Sequence, residues 1–97
     1  MRRAAKIDDN QKEIVDYLRK IGATVRSTAA IGQGFPDLVI GYKGQNFLVE
    51  VKDGSKVPSK RKLKPDEQAF FDSWAGHVFV IERIEDWQEQ LKRIGHE

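Results

Sequence analysis

Residues 37–52, DLVIGYKGQNFLVEVK, hold two apolar runs of strand length, DLVIGY and NFLVEVK, with a tight KGQ turn between them. This pattern most limits the fold, because it commits the middle of the chain to an antiparallel hairpin. Strand side chains alternate faces, so Leu48, Glu50 and Lys52 share one face and Phe47, Val49 and Val51 take the other. With the turn near Gly44, Asp37 is expected opposite about residue 51, beside Glu50 and Lys52. Two carboxylates and an ammonium then meet at one sheet edge. A slip of one residue would change the faces.

The flanking sequence supplies helices and further strands. Asp8 reads as a helix N-cap with Gln11 completing a capping box, and Ile14, Leu18 and Ile21 recur at helical spacing before Gly22, giving a helix over residues 8–21. Ile7 lies in line with that stripe just before the cap. TVRST (residues 24–28) predicts a strand, and AAIGQGFP (residues 29–36) a glycine-bearing loop. After the hairpin, residues 56–64 read as a basic loop. Pro65 suits the first position of a helix with Asp66 and Glu67 in its first turn, Phe70, Phe71 and Trp74 on its apolar face, and Gly76 at its end. HVFVI (residues 77–81) reads as a central strand covered on both sides. Ile84, Trp87, Leu91 and Ile94 mark a last helix. The fold class is α/β, in α-β-β-β-α-β-α order, with a mixed central sheet flanked by helices. A chain of 97 residues accommodates one domain, residues 1–97.

Composition closes several routes. There is no cysteine, hence no disulfide and no thiolate zinc site, and His77 and His96 are too far apart in sequence to read as a ligand pair. No apolar run approaches the roughly 18 residues of a membrane span. The segment MRRAAKIDDNQKE lacks the apolar stretch of a secretory signal. A cytoplasmic protein, bacterial or phage-encoded, is expected, with no membrane partner. The net charge is only +2, but Lys56, Lys60, Arg61, Lys62 and Lys64 follow one another without an acid, and Arg2, Arg3 and Lys6 form a second cluster. Such clusters fit a polyanion such as nucleic acid; they equally fit a solvated loop.

Two carboxylates close together repel, and one holds its proton unless a cation joins them. Magnesium resolves that conflict with hard oxygen ligands, one or two carboxylates and water. It lowers the pKa of a water and stabilises charge on a phosphate transition state. Lys52 can then orient the water, take its proton or neutralise developing charge; the neighbouring acids favour positioning and electrostatics over a free-amine base. The alternative is a surface ion pair between Glu50 and Lys52, with Asp37 capping a turn after Pro36.

Pro36 and Asp37, followed by Glu50, Val51 and Lys52, form a PD…EVK pattern that resembles the PD-(D/E)xK nuclease signature. The preceding GQGFPDLVIG and the chain length resemble the VRR-Nuc (virus-type replication-repair nuclease) branch, which is Holliday-junction-resolvase-like. The resemblance implies a restriction-endonuclease-like core, with Asp37, Glu50 and the Val51 carbonyl as metal ligands and Lys52 as the catalytic lysine. It implies an acid from the first helix, best matched by Glu13, which otherwise reads as an ordinary exposed helix acid. It also implies a catalytic glutamine, best matched by Gln68, which otherwise reads as solvated. The cofactor would be Mg2+, with Mn2+ able to substitute. The nucleic-acid-binding residues would be Lys56, Lys60, Arg61, Lys62, Lys64, Arg2 and Arg3.

The function so implied is a structure-selective DNA endonuclease acting on branched DNA such as Holliday junctions during replication, recombination or repair. It would work as a homodimer, its contact drawn from the Trp87 helix or the Phe70, Phe71 and Trp74 face, although both sets also fit a core. The rival reading is a catalytically inactive DNA-binding module with a nuclease fold.

Overall fold

The computed structural model describes residues 10–95. Its elements are helix α1 (Gln11–Lys20), strands β1 (Thr24–Ser27), β2 (Leu38–Tyr42) and β3 (Gln45–Val51), helices α2 (Pro58–Arg61) and α3 (Pro65–Ser73), strand β4 (Val78–Ile81) and helix α4 (Ile84–Arg93). The sheet runs β1-β2-β3-β4; the first three strands are antiparallel and β4 joins β3 in parallel. This is the α/β class and, apart from the short α2, the element order that the sequence predicts.

The hairpin turns through Lys43 and Gly44, at φ 48° and 80°. Positive φ at both central residues is the signature of a type I′ turn, whose twist matches that of the flanking strands. It pairs Tyr42 with Gln45 and Leu38 with Val49. Continuing the register by one residue sets Asp37 opposite Glu50. The sequence expectation of residue 51 is therefore off by one. The two-residue loop accounts for the slip, and it puts Asp37 on the same face as Glu50 and Lys52.

One face of the sheet is the core. Leu38, Ile40, Phe47, Val49, Val51, Phe79 and Ile81 point there and are closed over by Ile14 and Leu18 of α1 and by Trp87 and Leu91 of α4. The helix spacings thus serve burial, and Trp87, 1% exposed, is core rather than a dimer contact.

Several boundaries differ from expectation. Helix α1 begins after Asn10, and the expected cap at Asp8 and stripe residue Ile7 lie outside the described residues. The Asn10 side chain instead donates to the carbonyls of Lys52 at 3.0 Å and Glu82 at 2.8 Å, tying the helix start to the ends of β3 and β4. Strand β4 is an edge strand, not a central one, and its burial alternates. Phe79 and Ile81 are buried in the core, and Val78 and Val80 on the other side are only partly covered. Helix α3 ends at Ser73 and not at Gly76. The basic loop contains α2, started by Pro58.

The second face carries Leu48, Glu50 and Lys52, and α3 lies against it. None of the α3 side chains is fully buried. Its N-terminus is fixed instead by the loop before β2. Gly34, at φ +82°, is packed so tightly that a Cβ there would meet the Asp66 carbonyl oxygen at 2.4 Å. Only glycine combines that conformation with that approach. Thr28 anchors the same loop by donating through its hydroxyl to the Pro36 carbonyl at 2.6 Å and through its backbone to that of Asp37 at 2.7 Å.

Candidate active site

Strand β3 delivers the acid and the lysine, and the end of the loop before β2 delivers Asp37. The Asp37 carboxylate accepts the Val51 N–H at 2.8 Å through Oδ2. This replaces a ladder bond that β2 is too short to make. A residue's N–H and C=O face the same side of its strand, so the Val51 carbonyl also looks toward Asp37, while Lys52 bonds through its N–H to Ile81 of β4 at 2.9 Å. Asp37, Glu50, Val51 and Lys52 line a cavity of about 360 Å3 on the second face of the sheet.

Glu50 is 4% exposed and Lys52 7%. The reading of a surface ion pair on a solvated strand therefore fails on burial. Lys52 Nζ stands 3.4 Å from Glu50 Oε2 and 3.0 Å from Glu67 Oε1. Burial pushes Glu50 up to about 8 from its usual 4.5, and the charges of Asp37 and Glu67 push the same way; Lys52 offsets only part of this. A proton shared with the Glu67 carboxylate pushes Glu50 the same way. Burial opposes the charge on Lys52, but the hydrogen bond to Glu67 and the two carboxylates outweigh it and raise its pKa. Burial likewise opposes the charge on Glu67, yet the Lys64 N–H and the Lys52 ammonium hold it below the usual carboxylate range. At neutral pH the cluster is thus an ionised Lys52 and Glu67 beside a protonated Glu50.

Glu67 is the site residue that sequence reasoning missed. Pro65 opens α3, and Glu67 at its third position accepts the Lys64 N–H at 2.8 Å through the same Oε1 that holds Lys52. A capping carboxylate directly after a basic segment is visible in the sequence. That it turns toward Lys52 depends on how α3 docks. Gln68, one residue on, is rotated away; it is exposed, donates to Asp72 at 2.9 Å and does not line the cavity.

Glu13 is not brought to the site either. The buried face of α1 is Gln11, Ile14 and Leu18, and Glu13 points to solvent in a separate depression with Lys12, Asp16 and Lys20. The helix lies on the core face, across the sheet from the acids. Among the described residues no group of three or more His, Cys, Asp or Glu side chains is placed to hold a metal by itself. Of the three carboxylates that line the cavity, Glu67 is held by Lys52 and the Lys64 N–H, which leaves Asp37 and Glu50, with the Val51 carbonyl, to face a cation. These are hard oxygen donors that suit magnesium with water completing its shell. The proton trapped on Glu50 marks surplus negative charge that a cation would relieve.

Of the basic residues, Lys56, Lys60, Lys62 and Lys64 line the cavity. Arg61 does not. Its guanidinium reaches Glu82 at 3.6 Å and lines a different depression with Asp53, Gly54 and Ser55, so it is a strut between α2 and the end of β4. Arg2, Arg3 and Lys6 lie outside the described residues. A wider groove of about 590 Å3 between α1 and α4 lies on the opposite face and contains none of the cluster. No helix among the described residues is long and apolar enough to cross a membrane.

Compared with known proteins, the chain matches no family model, no curated protein and no solved structure.

The buried proton has a measurable consequence. Unfolded Glu50 ionises near its usual 4.5, whereas folded Glu50 keeps its proton to about 8. Its contribution to stability is therefore full below about pH 4.5 and is lost as pH rises through about 8. In that window Lys52 stays charged and Glu67 stays ionised, so of these three groups Glu50 is the one whose charge changes. Denaturation in chelator is expected to show stability falling from about pH 5 to 8. Glu50→Gln should flatten that fall. Parallel curves for parent and variant would show that Glu50 is ionised in the fold.

Proposed function

We propose that the protein is a magnesium-dependent DNA endonuclease that hydrolyses phosphodiester bonds. The observation that carries this reading is the cavity itself. A carboxylate pair, a backbone carbonyl and a buried lysine meet at its floor, and four lysines stand at its rim. The resemblance of the PD…EVK pattern agrees with the same residues.

In this reading Asp37, Glu50 and the Val51 carbonyl hold the metal. Bound magnesium would supply charge to the scissile phosphate and lower the pKa of an attacking water. Lys52, kept cationic chiefly by Glu67, would hold charge beside the phosphate and orient the nucleophile; it is not a proton acceptor in this state. Glu67 is a positioning residue that fixes the ammonium. The rim lysines hold the DNA backbone by contacts that carry no sequence information. Contacts of this kind read charge and backbone shape, so we propose selectivity by DNA structure, with branched DNA cut by a homodimer as the substrate.

Asp37→Ala should abolish magnesium-dependent cleavage while DNA binding persists. Lys52→Ala, checked for folding by circular dichroism, should lower the rate by about 10²-fold or more with calcium affinity retained. A parent protein that binds DNA yet never cleaves it with magnesium or manganese would identify an inactive binding module. Near-normal turnover of Asp37→Ala would remove this cavity from the chemistry.

The two kinds of basic residue should separate. Replacing Lys56, Lys60 and Lys62 with alanine should flatten the slope of log affinity against log salt by about 2–3, at about 0.9 per phosphate contact. Arg61→Ala should leave the slope unchanged and lower thermal stability. The reverse pattern would place the DNA path on the other side of α2.

A further inference from the structure

We infer that Trp74 is a stacking platform for an unpaired base of DNA, a subsite beside the cleavage cavity; its placement beside the scissile phosphate rests on the nuclease reading. Trp74 is 43% exposed, yet aromatic rings pack against it. Its indole stacks on Phe70 with centroids 5.0 Å apart and planes 18° apart, and Phe35 meets both rings edge-on, at 5.1 Å from Phe70 and 6.5 Å from Trp74. Gly76 closes on the indole edge, where a Cβ would lie 3.0 Å from Nε1. Phe70 stacks on the indole, and among the described residues 43% of Trp74 stays exposed, surface on which a planar partner can lie.

The placement selects the partner. Glu67, Phe70 and Trp74 recur at intervals of three and four residues, so they share the face of α3 that turns Glu67 into the cavity. At 1.5 Å per residue Trp74 lies about 10 Å along the helix from Glu67, roughly three base steps of duplex. Phe35 comes from the same loop as Asp37, so both supports of the indole are fixed to the site's own elements. Gln68 and Asp72, paired with each other, turn to another side of the helix. At the other end of the face are the rim lysines Lys62 and Lys64. Lysines at one end of α3 and an exposed aromatic ring at the other match the way single-stranded nucleic acid is held, phosphates on the lysines and a base on the ring. A paired base has its faces occupied by its neighbours, so the platform selects DNA with an unpaired base near the cut.

The test uses binding in calcium without turnover. Labelled oligonucleotides of equal length, one a blunt duplex and one with a short single-stranded thymine arm, are compared for parent, Trp74→Ala and Trp74→Phe, with circular dichroism to confirm folding. Trp74→Ala should weaken the armed DNA by about tenfold, within the range for one lost base stack, and leave the blunt duplex unchanged. Trp74→Phe should retain most of the preference. Because Trp87 is buried, quenching of tryptophan fluorescence by the armed DNA should vanish in both variants. Equal affinities of parent and Trp74→Ala for both DNAs, or an equal loss on both, overturns the platform. If Trp74→Ala converts a dimer to monomer and leaves the preference intact, this face is a contact between copies and the inference falls. A parent that shows Trp74-dependent preference but no cleavage keeps the platform and overturns only the nuclease reading.

Discussion

A buried ammonium clamped between two glutamates organises the working face of this protein. Lys52 comes from the end of β3, Glu50 from the same strand and Glu67 from the first turn of α3, so one ionic contact joins the sheet to a helix that buries none of its own side chains fully. Removing one partner of a buried pair leaves an uncompensated charge, at a cost of about 3–5 kcal/mol. The contact is therefore structural and chemical at once. It fixes α3, and it keeps a positive charge among the carboxylates of the cavity.

The same clamp explains why the acids do not cancel within the protein. Lys52 has one charge, and Asp37, Glu50 and Glu67 offer three. Asp37 is engaged by the Val51 N–H and Glu67 by Lys52 and the Lys64 N–H, which leaves Glu50 to keep a proton. A protein selected only for stability would do better to fill this space with apolar side chains. The proposed function accounts for both features: the carboxylates would share a cation in place of the proton, and the rim lysines would meet the polyanion brought to it.

Much of this was legible in the sequence because period and spacing act locally. The two-fold alternation in NFLVEVK places Glu50 and Lys52 on one face whatever surrounds them. The apolar stripes of α1 and α4, and the proline that opens α3, likewise declare themselves. What was not legible depends on docking. The register differs by one because the loop type, set by Lys43 and Gly44 at positive φ, decides it. Glu67 rather than Gln68 enters the site because Gly34 lets α3 approach at one rotation about its axis. Arg61 reads as one more cation of a basic run, and only the position of Glu82 makes it a strut. Glu13 fails as a ligand because α1 packs on the core face, a fact its own periodicity cannot reveal.

Calorimetric titration of the protein with calcium at pH 7, in buffers of different ionisation enthalpy, tests the central claim most directly. If Asp37, Glu50 and the Val51 carbonyl form a divalent-metal site, Glu50 must lose the proton it holds up to about 8. Binding should then release about one proton per ion at pH 7 and almost none at pH 9.5. Calcium that fails to bind, or binds at pH 7 with no proton released, would contradict the account.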